Sequence, residues 1–132
     1  MTIRLLIPVA LAQGIWVRRT TPRLPPARGH RGRFGEGSNP IRVTGVGDSI
    51  IAGVGVEEQR HALVGQFARR LHERTRRPVE WKAVGFNGAT SAEVARSIAR
   101  RAPGANVYLL SVGVNDVTHA VAVKSFAGNV AS

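Results

Sequence analysis

Cysteine is absent from the 132 residues. That removes disulfides, thiolate metal sites and a cysteine nucleophile, and it fits a reducing compartment. Carboxylates are scarce: 8 Asp and Glu stand against 19 Lys and Arg, for a net charge of +11. Aromatic side chains make up only 5%. None is interleaved with the arginines to stack bases, which argues against nucleic acid as the partner of that charge. No apolar run reaches the roughly 20 residues of a membrane span, since Arg4, Pro8 and Gln13 interrupt Ile3–Val17. A Gly-Lys-Ser/Thr phosphate loop is missing. Gly45-Val46-Gly47 lacks the third glycine of a dinucleotide fingerprint, Ile50 holding its place. There is no internal repeat.

The length fits one ordinary domain, and hydrophobic residues at 43% suffice for a core. Three regions are expected. Residues 1–17 form an apolar N-terminal segment, 18–39 a basic linker rich in Pro, Gly and Arg, and 40–132 the folded domain. The linker holds too few apolar residues to offset its ordering entropy. Ala10-Leu11-Ala12 resembles a signal-peptidase site but comes early for a leader of about 15–30 residues. The arginines that follow oppose export, so a cytoplasmic location is expected. Two readings of Ile3–Val17 stand side by side. It lies as a short helix on an anionic inner membrane surface, with Trp16 and Arg18-Arg19 at the headgroups, or it packs on its own domain or stays disordered. The cluster Arg69–Arg77 closes a helix, where cations suit the dipole, and reads as a solvated face.

Strands are expected at Ile41–Val46, Val79–Val84 and Asn106–Val112, the last a nearly continuous apolar run suited to a covered strand. Helices alternate with them. One spans about Arg60–Arg76 with Leu63, Phe67, Ala68 and Leu71 inward. A second spans about Ser91–Arg101 with Val94 and Ile98 inward, opened by the capping box Thr90-Ser91-Ala92-Glu93 and stopped at Pro103-Gly104. A third starts near His119 and carries Ala122, Val123 and Phe126. Alternation of this kind gives a parallel α/β sheet. Each strand ends in a motif: Gly47-Asp48-Ser49, then Gly85-Phe86-Asn87-Gly88-Ala89-Thr90, then Gly113-Val114-Asn115-Asp116. All three converge on the carboxyl edge, where open α/β sheets bind ligands. Ser49 there is either a nucleophile or a cap for the helix behind it, and Asn115-Asp116 also suits a plain turn.

These three ordered motifs resemble the SGNH (GDSL) hydrolases, serine esterases and lipases, from about Pro40 onward. The resemblance implies a three-layer flavodoxin-like parallel sheet, here reaching only the third strand and the helix after it. It implies Ser49 as nucleophile of an acyl-ester hydrolase, with the Ser49 N–H, the Gly88 N–H and the Asn115 amide as the oxyanion hole. Gly47, Asp48, Gly113 and Asp116 support them. Small-molecule esters are the implied substrates, with no cofactor and no metal. The family's base is a histidine in an Asp-x-x-His block well after the third motif, expected beyond Ser132. One literal match, Asp116-Val117-Thr118-His119, shares Asp116 with the third motif. Its tight spacing leaves His119 little freedom to reach Ser49, so pocket lining or a polar helix end is the favoured reading. His30, His61 and His72 read as surface residues. Without its base such a chain has little activity alone. The alternative is a catalytically idle basic module that associates with membrane or nucleic acid. With the third strand outermost, an open apolar sheet edge is also expected.

Overall fold

The computed structural model describes residues 12–17, 19–22 and 24–131, with backbone alone at 97–99. Most of the expected membrane-lying segment, residues 3–11 and Arg18, lies outside them. Residues 12–17 are helical and present Ile15, Trp16 and Val17 to solvent. Among the described residues no helix is long and apolar enough to cross a membrane.

Four strands form one sheet in the order β1-β3-β2-β4: β1 (Arg31–Phe34), β2 (Ile41–Gly47), β3 (Val79–Gly85) and β4 (Val107–Ser111). The pairs β2·β3 and β2·β4 are parallel. The Ile41 strand thus lies between the other two parallel strands, and the Val107 strand is outermost as expected. Between the strands lie α1 (Ser49–Ala52), a 3₁₀ turn (Gln59–His61), α2 (Leu63–Thr75) and a helical stretch over 91–101. That stretch, α3, is α-helical at Ser91–Glu93, π-wound at Val94–Ile98 and 3₁₀ at Ala99–Arg101. After β4 come α4 (Val114–Thr118) and α5 (Val123–Ala131). The third helix expected from His119 is α5, which begins only at Val123; α4 is an additional short helix within the third motif, and Ala120, at φ +53, lies between the two.

The sheet has two unlike faces, because cross-strand partners share a side. On one, Val43, Val79, Trp81 and Ala83 meet Ile51 of α1 and Val64 and Ala68 of α2, a cluster of fully or nearly fully buried side chains. Phe67 and Leu71 pack against it as expected. Leu63 does not: as the first residue of α2 it faces solvent, and Val64 takes the inward place. On the other face a smaller cluster joins Val46, Ala89 and Val94. The side chain of Ile98 lies outside the described residues. Phe126 is half-buried on α5, whereas Ala122 and Val123 are exposed.

Strand β1 falls inside the stretch expected to be a linker. It pairs antiparallel with β3, Arg31 opposite Lys82 and Phe34 opposite Val79, so the sheet is mixed rather than purely parallel. Its alternation is the cause. Phe34 packs on the core, while Gly32 leaves room for the Trp81 indole, which a Cβ there would approach within 2.6 Å. At the opposite edge, β4 leaves Tyr108 and Leu110 each more than half exposed. The open apolar edge is present.

Candidate active site

The parallel register sets Gly47 opposite both Gly85 on β3 and Ser111 on β4. The three motifs thus leave the sheet from one row, at the carboxyl ends of three adjacent strands. Two backbone hydrogen bonds stitch the row: Asp48 N–H donates to Ser111 O at 3.0 Å and Phe86 N–H to Gly47 O at 3.1 Å. Glycine is required at two places in it. Gly47 has φ +154, and a Cβ on it would stand 1.9 Å from Ser111 O; one on Gly85 would stand 2.4 Å from Ala52 N. The loops approach one another more closely than side chains allow.

Asp48, not Ser49, caps the helix. Its buried carboxylate accepts the Ile50 N–H at 3.0 Å and the Ser111 hydroxyl at 3.2 Å. Ser49 therefore occupies the first helical position, half-buried. Among the described residues neither its hydroxyl nor its N–H has a hydrogen-bond partner. The capping alternative raised by the sequence is thus taken up by the neighbouring aspartate.

Phe86–Ala89 is a tight turn closed by Ala89 N–H to Phe86 O at 3.2 Å. Gly88 stands third in it with φ +84, where a type II turn demands glycine. Its own N–H is not consumed by the turn. The capping box that follows forms as expected, Thr90 N–H donating to Glu93 Oε2 at 2.9 Å. These hydrogen bonds from Thr90, backbone first, hold the Glu93 carboxyl below its ordinary range.

The third motif locks onto the second. Asn115 Nδ2 donates to Ala89 O at 2.9 Å, which fixes the amide plane and leaves its second hydrogen unspent. Asp116 is buried and accepts both the N–H of Ser91, at 2.9 Å, and its hydroxyl, at 2.5 Å. Asn129 of α5 adds a hydrogen bond to the Ser91 hydroxyl at 3.0 Å. Gly113, at φ +128, lies against the ring of Phe126. Asn115-Asp116 is therefore more than a turn.

His119 caps the end of α4, exposed, with Nδ1 2.6 Å from the carbonyl oxygen of Asn115. Its neighbour in charge is Glu93. Among the described residues no histidine hydrogen-bonds Ser49, in keeping with the reading of His119 as a polar helix end. His72 is partly buried rather than freely exposed, with Nδ1 2.7 Å from Arg77 O. The contributions of Ser91, Ser111 and Asn129 carry no motif of their own. Only the capping-box position of Ser91 could have drawn notice to it.

Three loops in register at one sheet edge, with a bare serine at the first, define an SGNH-type hydrolase fold. The chain belongs to the GDSL-like lipase/acylhydrolase family, whose model matches residues 46–132. The crystal structure of AlinE4, an SGNH-hydrolase family esterase, superposes with a TM-score of 0.62 at 17% identity, covering 72% of this chain and 51% of that one. That likeness concerns the fold, and the chain spans about half the length of that protein. Among curated proteins no match is found.

Proposed function

We propose that this domain carries the nucleophile and oxyanion hole of a serine esterase acting on acyl esters of small molecules. One observation carries the reading: among the described residues the Ser49 hydroxyl has no partner at the edge where three strand-end loops meet, because Asp48 does the capping. In the proposed reaction Ser49 Oγ bonds to the acyl carbon and its proton passes to a base. The carbonyl oxygen gathers negative charge, and the ester C–O bond then breaks to release the alcohol. Water cleaves the acyl-serine in a second round. The oxyanion needs preplaced donors, and three are unspent among the described residues: the N–H of Ser49, the N–H of Gly88 and the second amide hydrogen of Asn115. Each donor of this kind is worth about 10²–10³ in rate.

The base is not among the described contacts of Ser49. Serine enzymes lacking triad members retain roughly 10³–10⁴-fold catalysis over water, far below a complete enzyme. The 132-residue chain alone is therefore a slow esterase. A fluorophosphonate probe tests this. It labels the purified chain slowly, and the labelling vanishes in Ser49→Ala. Equal labelling of that variant overturns the assignment.

A further inference from the structure

A concavity of about 900 Å³ opens on the sheet face that α3 covers only in part, toward the amino ends of the strands and away from Ser49. Its walls carry Arg31, Arg33, Arg42, Thr44, Glu80 and Lys82. The register puts all six on one side of the sheet. Lys82 stands opposite Arg31 on one flank and Thr44 on the other, and Glu80 stands between Arg33 and Arg42. Arg33 takes the one carboxylate, at 2.9 Å from Glu80. Among the described residues the side chains of Arg31, Arg42 and Lys82 have no hydrogen-bond or ion-pair partner.

Like charges directly opposite on neighbouring strands destabilise a sheet. Here a half-buried lysine and an exposed arginine stand opposite each other across β1 and β3. Thr44 is buried beside them, its hydroxyl making a long hydrogen bond of 3.5 Å to Pro103 O. An anion seated among these groups turns the repulsion into two attractions. Guanidinium groups also match the oxygens of a phosphoryl group in pairs.

We propose that this cavity binds a phosphoryl dianion, held by Arg31, Arg42 and Lys82. Two sources share that chemistry, a free phosphate monoester or ion and the headgroup of an anionic phospholipid. The site is independent of the serine centre and stands or falls without it.

The test uses the full chain at constant ionic strength, with inorganic phosphate titrated against chloride and followed by thermal unfolding and ³¹P line broadening. A second arm sediments the chain with vesicles of phosphatidic acid in phosphatidylcholine, against phosphatidylcholine alone. Wild type is expected to show a saturable response, as linkage to the folded state requires. Arg31→Gln/Lys82→Gln loses it, and the distant Arg70→Gln keeps it. A response to phosphate identifies a free anion; a response confined to the phosphatidic acid vesicles identifies the headgroup. Arg42→Gln alone, which keeps the cross-strand pair, weakens binding about tenfold, as loss of one charge-assisted contact implies. No response to either probe, or an undiminished response in the double variant and in Arg42→Gln, overturns the proposal.

Discussion

The carboxylate of Asp116 receives both donors of Ser91, the N–H at 2.9 Å and the hydroxyl at 2.5 Å, across 25 residues of chain. Both residues are buried, so the pair fastens the loop after β4 to the start of α3. Asp116→Ala leaves two buried donors unsatisfied and should cost about 3 kcal/mol of stability. Asp116→Asn keeps one acceptor oxygen and should cost less. Urea denaturation of the two variants measures the difference.

Ser49 and its neighbour Asp48 should separate activity from stability. Ser49→Ala removes a hydroxyl with no partner among the described residues, so unfolding should change by no more than about 0.5 kcal/mol while probe labelling disappears. Asp48→Ala removes a helix cap, a loss of about 1 kcal/mol or more, and frees the Ser111 hydroxyl. Labelling should then slow because the Ser49 turn loosens. Parallel melts and labelling time courses show whether the two effects divide this way.

Gly47→Ala should be among the most damaging single changes in the domain. The added methyl would stand 1.9 Å from the Ser111 carbonyl oxygen, in a backbone conformation side chains rarely adopt. A loss of about 4 kcal/mol or more is expected, seen as failure to melt cooperatively or as a large drop in midpoint.

The capping box predicts a pH effect of definite sign. The folded-state pKa of Glu93 lies below its ordinary value of 4.5, so the unfolded chain binds its proton more readily. The contribution is therefore full above about that value and is lost as pH falls through the lowered folded value. Glu93 is exposed, and screening keeps the effect under about 1 kcal/mol. Wild type minus Glu93→Gln stability, followed from pH 6 to 3, should shrink toward the acid end. A difference that stays flat or grows contradicts it.

The sheet and its site were legible in unequal measure. The strand at Val107 showed because its run is almost wholly apolar, those at Ile41 and Val79 because apolar residues alternate with polar ones, and the strand-end motifs because glycines mark where loops must crowd. Arg31–Phe34 did not. Two arginines and a glycine give no strand signal by themselves, and this strand exists because Trp81 fills the room beside Gly32 and Phe34 reaches the core. Leu63 was misplaced because periodicity cannot tell the first residue of a helix from the first inward one. The division of labour between Asp48 and Ser49 was equally hidden, since either side chain can cap. Which one does depends on Ser111, more than sixty positions later. The pairing of Arg31 with Lys82 needed the register, and no local pattern encodes that.

The two rims of the sheet are unequal. At one rim, β1 is four residues long and carries two arginines, a short, charged border that discourages further pairing. At the other, β4 sets Tyr108 and Leu110 toward solvent beside unmatched backbone groups. Extension of the sheet is thus vectorial: any added strand, from this polypeptide or another, has one berth. The loops around Ser49 are hydrogen-bonded inward from that berth, through Ser111 to Asp48 and through Asp116 to Ser91. The orientation of Ser49 is accordingly insulated from whatever sequence occupies it, and that neighbour can diverge without re-aligning its side chain.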